Sequence, residues 1–147
     1  MGRRLTSKLY LSNQRVIWHW CPACTCLHQY RLDSASEIKQ PDWPEMEDKH
    51  PGAPQWSFNG NLELPTLMPS MLIYAEHPDS SRPWEEWVAM KQRGEIDRIP
   101  YVRETRCHYH LINGNIVFCE DCPHEYRGMT VPLPDLPSHD TYGYPGE

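Results

Sequence analysis

Long apolar segments, a secretion signal and a surplus of basic residues are all missing from this sequence. Without a run of about 18 apolar residues, the chain is not expected to contain a transmembrane helix. No apolar core follows the basic residues at the start, which predicts no signal peptide and a location in the cytosol, where stable disulfides are rare. Because 14 Lys and Arg face 20 Asp and Glu, an extended basic surface for nucleic acid is not expected either.

Helical patterns are also scarce, and a single segment, residues 83–93, carries helix start and stop signals. Pro83 and the glutamates that follow it suit a first turn, and Gly94 can end the helix. Short β-branched or aromatic stretches elsewhere predict strands, and Asn113-Gly114 predicts a hairpin with a type I′ turn. The fold class predicted is therefore α+β and β-dominated, with hairpins joined by a zinc site and one short helix.

The length of 147 residues is typical of one domain. We expect a single zinc-binding domain over residues 1–137 and a flexible tail over 138–147. Residues 33–55 are rich in proline and charge, which indicates an irregular insertion within that domain.

Six cysteines and eight histidines need an explanation in a cytosolic chain, and a bound metal is the first candidate. Cys21 and Cys24 form one C-x2-C unit, and Cys119 and Cys122 form another. Such a turn directs two thiolates to one point, and two turns can complete a tetrahedral zinc site. The spacing predicts that Zn²⁺ joins the two ends of the domain.

Alternation of side chains along the predicted hairpin separates an apolar face from a face with ligand chemistry. The apolar face carries Tyr109, Leu111, Ile116 and Phe118, and Cys107 falls on the same side. The other face carries His108, His110, Val117 and Cys119. Structural zinc takes four ligands and catalytic zinc about three. The candidate ligands therefore exceed what one site needs: Cys21, Cys24, His108, Cys119, Cys122 and His124, with Cys26 and His28 nearby. A second metal, an outer hydrogen-bonding role or simple redundancy would absorb the surplus.

Three stretches carry a family resemblance: WHWCPACTCLH, WSFNGNLELPTLMPSMLI and CHYHLINGNIVFCEDCPHEYRG. They resemble a family of small phage and prophage zinc-knuckle proteins that is commonly mislabelled "ammonia monooxygenase". A wider, related group of uncharacterised domains lies beside bacterial ubiquitin-like conjugation operons. The resemblance covers most of the chain apart from residues 33–55, 79–104 and the tail.

The resemblance implies functional positions wherever the family motif matches. Matched metal-ligand types are Cys21, Cys24, His28, Cys107, His108, Cys122 and His124, and matched candidate partner-binding residues are Trp56, Thr66 and Ser70. Cys119 stands where family members often have an apolar residue. The predicted zinc ligands are Cys21, Cys24, His108 and Cys122, with His124 or Cys119 as a substitute and Cys107 or His28 in a metal or supporting role.

Three functions follow, and the preferred one is a zinc-stabilised phage accessory protein that binds and modulates a host protein, with a defence-system protein as one candidate. The acidic balance favours a basic partner surface, and the Trp and Tyr content supplies residue types that dominate interfaces. The alternative is a zinc-dependent hydrolase or peptidase with His124 or Asp121 as general base. No H-E-x-x-H motif supports it. Nucleic-acid binding by the knuckles ranks third, because the basic residues are sparse.

Overall fold

Two antiparallel sheets form the protein, and the computed structural model describes residues 2–45, 47–48, 51–139 and 143–145. The first sheet has the order β1-β2-β3-β4, with strands Arg3–Arg4, Tyr10–Asn13, Val16–Cys21 and Cys26–Arg31. The second has the order β5-β6-β7-β8-β9, with strands Ser57–Phe58, Leu67–Pro78, Tyr101–Ile112, Asn115–Phe118 and Thr130–Pro132. In each sheet the neighbouring strands follow one another along the chain, so both sheets are antiparallel meanders.

The predicted helix is confirmed. Helix α1 spans Trp84–Gln92 between β6 and β7, and its first turn holds Glu85 and Glu86. The chain leaves the helix at Gly94, whose φ of +76° is a conformation that glycine adopts without steric cost. Within the described ranges, no helix is long and apolar enough to cross a membrane.

The predicted hairpin is confirmed as well. Asn113 and Gly114 both have positive φ, as a type I′ turn requires, and they join β7 to β8. Residues Tyr109, Leu111, Ile116 and Phe118 are each at most 2% exposed. The apolar face of this hairpin therefore lies in the core.

One hydrophobic cluster contains buried residues from both sheets. Ile17 and Tyr30 of the first sheet share it with Tyr109 and Leu111 of the second. The core therefore lies between the sheets, and each strand that borders it presents alternate side chains to the interior. The fold class, a small β-dominated domain with one short helix among the described residues, agrees with the prediction.

Residues 33–55 contain a short 3₁₀ helix at Ser34–Ser36 and a buried side chain, Trp43. Asp48 forms ion pairs with Arg15 and Arg31, which attaches this segment to the first sheet. In the predicted tail, Tyr144 is buried and packs on Tyr10, with the ring centroids 4.8 Å apart. Residues 1, 46, 49–50, 140–142 and 146–147 lie outside the described residues, so the domain boundaries stay a prediction.

Candidate active site and metal centre

A serine on β6 meets a histidine on β7 at the outer face of the second sheet. The antiparallel pairing places Leu72 opposite His108. Met71 is buried, and because neighbouring side chains of a strand point to opposite faces, Ser70 points outward. Ser70 Oγ lies 3.1 Å from His108 Nε2, which is hydrogen-bonding distance.

A carboxylate reaches the same histidine from the turn that follows β8. Cys119 donates its backbone N–H to the His108 carbonyl at 2.9 Å, and Cys122 donates its own to the Cys119 carbonyl at 3.3 Å. This turn directs Asp121 at the imidazole, with Oδ1 3.1 Å and Oδ2 3.2 Å from His108 Nδ1. The imidazole therefore lies between a hydroxyl and a carboxylate.

The buried thiol of Cys122 fixes this turn to the backbone of His108. Its Sγ accepts a hydrogen bond from the His108 N–H at 3.3 Å and donates one to the His108 carbonyl at 3.1 Å. Cys122 thus sets the distance between the turn and β7 through backbone contacts. Small thiols can fill such buried positions because they behave largely as apolar groups.

Charge around Asp121 favours its ionised form. Burial raises the pKa of this carboxyl group, but the hydrogen bond to His108 and the charges of His108 and Arg106 outweigh it, so the pKa lies below its usual value. Arg106 Nη1 is 3.5 Å from Asp121 Oδ2. An ionised Asp121 accepts the Nδ1–H of His108, which leaves the Nε2 lone pair facing the Ser70 hydroxyl.

The arrangement matches a Ser-His-Asp triad in its contacts. Such a triad is defined by geometry and by the role of each group, because its order along the chain differs between unrelated folds. The side chains of His108 and Asp121 are 28% and 44% exposed, so a substrate can reach them. The chemistry that this geometry supports is nucleophilic attack by a hydroxyl with the imidazole as general base.

A second cluster lies at the turn between β3 and β4. The ligand atoms of Cys21, Cys24 and His28 lie within 4.8 Å of one another. Cys21 ends β3, its carbonyl accepts the N–H of Thr25 at 2.8 Å, and its sulfur accepts the N–H of Cys24 at 3.4 Å. Two thiols and an imidazole at this spacing can bind a metal ion.

Cys107 of β7 adds a third thiol to the cluster. Its sulfur is 4.0 Å from that of Cys21, and its side chain is buried on the face opposite to that of His108. Hydrogen bonds from Cys107 and Cys24 lower the pKa of the Cys21 thiol, and burial lowers the pKa of His28 although the charge of Cys21 opposes this. Thiolate and neutral imidazole are the forms that ligate metals.

A buried hydroxyl orients the histidine of this cluster. Tyr109 Oη lies 3.2 Å from His28 Nδ1 and 2.7 Å from His19 Nε2. Burial and the neighbouring His28 lower the pKa of His19 to about 4, so this histidine is neutral at physiological pH. Hydrogen bonds of this kind commonly fix the ring of a metal-ligating histidine.

The structure divides the predicted zinc ligands between the two clusters. Cys21 and Cys24 lie with His28, whereas His108 lies with Asp121. Cys122 contacts the backbone of His108. Among the described residues, the four-ligand set is therefore not assembled at one point, and it stays a prediction.

The remaining candidates occupy supporting positions. His124 Nδ1 accepts the N–H of Tyr126 at 3.2 Å, and its Nε2 is buried without a hydrogen-bond partner in the part of the chain described. Trp56 Nε1 donates to the Ser70 carbonyl at 3.3 Å, and Thr66 Oγ1 accepts the N–H of Asn113 at 2.8 Å. Both contacts fix backbone near the ends of β6 and β7.

The sequence did not identify Ser70 as a nucleophile; it marked this residue as a candidate for partner binding. Ser70 and His108 are 38 residues apart, and strand pairing alone joins them. The available signal was the outward-facing His108 on the predicted hairpin, followed by an acidic residue in the next turn. That signal could have indicated His108 as a general base, but it does not indicate which residue is the nucleophile.

A family model described as "Bacterial ubiquitination-like system serine protease (BubE)" matches residues 2–119. The matched range contains Ser70, His108 and the thiol cluster, and Asp121 follows two residues later. No curated protein and no solved structure matches the chain. The description agrees with the expected relation to ubiquitin-like operons and favours the hydrolase alternative over the phage accessory role. Kinship with the phage zinc-knuckle family and a host partner stay predictions.

Proposed function

The chain belongs to the BubE family of bacterial ubiquitination-like system serine proteases, and we propose that it is itself a serine protease. Ser70 is the nucleophile, His108 the general base, and Asp121 the group that orients the base. The observation that carries the proposal is the contact series from Ser70 Oγ to His108 Nε2 at 3.1 Å and from His108 Nδ1 to Asp121 Oδ1 at 3.1 Å.

In the first half of the reaction, Ser70 Oγ attacks the substrate carbonyl carbon while its proton moves to His108 Nε2. Asp121 stabilises the imidazolium that forms, because its carboxylate accepts the Nδ1–H. The imidazolium then protonates the leaving amine as the C–N bond breaks, which leaves an ester on Ser70. Water then attacks this ester while its proton moves to His108. As the ester C–O bond breaks, the imidazolium returns that proton to Ser70 Oγ, which releases the acid product and restores the free hydroxyl.

The substrate class that we propose is a peptide or isopeptide bond at a ubiquitin-like protein. The family description supplies the ubiquitin-like context. A cleft of about 1200 Å³ lies beside the thiol cluster, and its lining includes Met71, Ile73 and Cys107 together with Cys24 and His28. Trp18, Leu27 and Trp56 extend its apolar wall. Ser70, His108 and Asp121 are not among the described residues that line this cleft, so the substrate class is proposed from the family description.

The metal that suits the second cluster is Zn²⁺, in a structural role. With Zn–S bonds of about 2.3 Å, two sulfurs of a tetrahedral site lie about 3.8 Å apart, close to the 4.0 Å between Cys21 and Cys107. Cys21, Cys24, His28 and Cys107 would hold the ion. It would join the β3–β4 turn to β7 one residue before His108, where it stabilises the backbone that carries the base and supplies no chemistry to the reaction.

A fluorophosphonate probe, which reacts with activated serine hydroxyls, tests the proposal without a known substrate. We expect the purified full-length chain to be labelled, Ser70→Ala to lose the label, and the exposed serine variant Ser57→Ala to keep it. A native protein that resists labelling, or a Ser70→Ala protein that is labelled as fast as the native one, would contradict the proposal. Cleavage of a C-terminally extended ubiquitin-like protein then tests the substrate class.

A further inference from the structure

We propose that Zn²⁺ reversibly inhibits this enzyme by binding to His108, Cys119 and Asp121, a site distinct from the Cys21 cluster. The inference rests on the proposed protease function. A ring nitrogen of His108, the Cys119 sulfur and a carboxylate oxygen of Asp121 lie within 4.8 Å of one another. Each residue is at least partly exposed, so an ion from solvent can reach the three atoms.

The backbone holds these donors together before any ion arrives. Cys119 donates its N–H to the His108 carbonyl at 2.9 Å, so the two residues lie side by side on adjacent strands. Asp121 already contacts His108 Nδ1 at 3.1 Å. An ion would therefore need only small side-chain movements to bind all three groups.

The donor types select the metal. Imidazole nitrogen, thiolate sulfur and carboxylate oxygen are the three ligand types of protein zinc sites, whereas Mg²⁺ and Ca²⁺ prefer oxygen alone. Water from solvent would complete a tetrahedron around the ion. The opposing charge is that of Arg106, 3.5 Å from Asp121, which weakens the attraction for a cation.

Binding at Nδ1 would remove the base without unfolding the protein. The metal takes the Nδ1 lone pair, so the ring proton resides on Nε2, and the Cys119 thiol releases its own proton to solvent. An Nε2–H donates to the Ser70 hydroxyl and cannot accept its proton. Ser70 then loses its activation although its 3.1 Å contact with His108 remains.

The first experiment titrates the full-length protein with buffered Zn²⁺, starting from protein that already carries one equivalent, and follows fluorophosphonate labelling. We expect labelling to fall as free zinc rises and to recover when a chelator lowers it. Cys119→Ala should label normally without added zinc and require at least about tenfold more zinc for the same inhibition, since losing one ligand of three costs at least that much affinity. Equal sensitivity of Cys119→Ala and the native protein would overturn the proposal.

A second measurement separates this site from the protease function. Co²⁺ bound to a thiolate absorbs visible and near-ultraviolet light, and the Ser70→Ala protein with one zinc equivalent can be titrated with Co²⁺. We expect a sulfur-dependent band that Cys119→Ala abolishes and Cys26→Ala, a cysteine of β4 outside both metal groups, retains. If the Co²⁺ band appears but the native protein is not labelled by fluorophosphonate, the protease function is contradicted and the metal site is not. If the native protein is labelled but no Co²⁺ band appears, the metal site is contradicted and the protease function is not.

Discussion

The two clusters differ in character although they meet at consecutive residues of one strand. Cys107 is 3% exposed and contacts Cys21 in the core, whereas His108 has a side chain 28% exposed and contacts Ser70 and Asp121 on the outside. Alternation along β7 is enough to separate them. A strand at the border of a core can thus connect a buried thiol cluster to an accessible histidine on its outer face.

Removing a thiol from the inner cluster, which contains Cys21, Cys24, His28 and Cys107, is expected to have the largest effect. Cys21→Ser should lose the bound metal and destabilise the fold by up to about 10 kcal/mol, because structural zinc binding contributes on that scale to folding. Elemental analysis and thermal unfolding measure both effects. Cys26→Ser, on the same hairpin but outside the metal group, is the control. A Cys21→Ser protein with native metal content and melting temperature would refute the structural role.

Removing the proposed nucleophile should abolish the activity of the outer cluster, which contains Ser70, His108 and Asp121, and should leave the inner cluster unchanged. Ser70→Ala should lower kcat by about 10⁴- to 10⁶-fold, as loss of the serine does in other triads. Its melting temperature and metal content should stay native, since Ser70 makes no contact with the thiol cluster in the described geometry. Steady-state kinetics and calorimetry would show this separation. Joint loss of metal and activity would mean that the two clusters are not independent.

The orienting carboxylate gives the next smaller effect. Asp121→Asn should lower kcat by about 10²- to 10⁴-fold while KM changes little, because an amide no longer favours the His108 tautomer with its proton on Nδ1. Asp121 is 44% exposed, and water can replace part of its role, which places the expected loss below that of Ser70→Ala. Kinetics of Asp121→Asn beside Asp135→Asn, an exposed acidic residue outside both clusters, would check the assignment.

Local sequence patterns were enough to predict the turn and the helix, whereas the composition of each cluster depends on which strands pair with each other. The 113–114 turn and helix α1 are set by residues within a few positions of each other, so glycine, proline and alternation suffice to predict them. The two C-x2-C units have identical spacing, yet Cys21 lies in a group of donors that could hold a metal ion, whereas the Cys122 sulfur contacts backbone. Spacing cannot distinguish these outcomes, since each depends on which strand lies opposite.

The register of β6 against β7 is the clearest example of this limit. It contains an irregularity between Leu67 and Met71, immediately around Ser70. A shift of one residue would turn Ser70 into the core and its neighbour outward. Pro69 lies in this segment and can mark a bulge, but it does not indicate which residue faces His108. Ser70 was therefore missed as a nucleophile, and His108 was predicted as a zinc ligand and not as a base.

The smallest expected effect comes from the charge beside the triad. Arg106 is one of several groups that keep the pKa of Asp121 below its usual value, so Arg106→Gln should raise that pKa toward it. A carboxyl group with a depressed pKa stabilises the fold above its unfolded-state pKa, and this contribution is lost as pH falls through the folded-state pKa. As pH falls, the Arg106→Gln protein should therefore lose this stabilising contribution of Asp121 at a slightly higher pH than the native protein. Since exposed ion pairs are weak, activity at neutral pH should change by less than about fivefold.

Titration of the Asp121 carboxyl carbon by NMR measures the shift of its pKa directly, with Arg127→Gln as the control. An unchanged Asp121 titration in Arg106→Gln would show that Arg106 does not contribute, and that His108 and the backbone hydrogen bond keep the pKa of this carboxylate below its usual value without it.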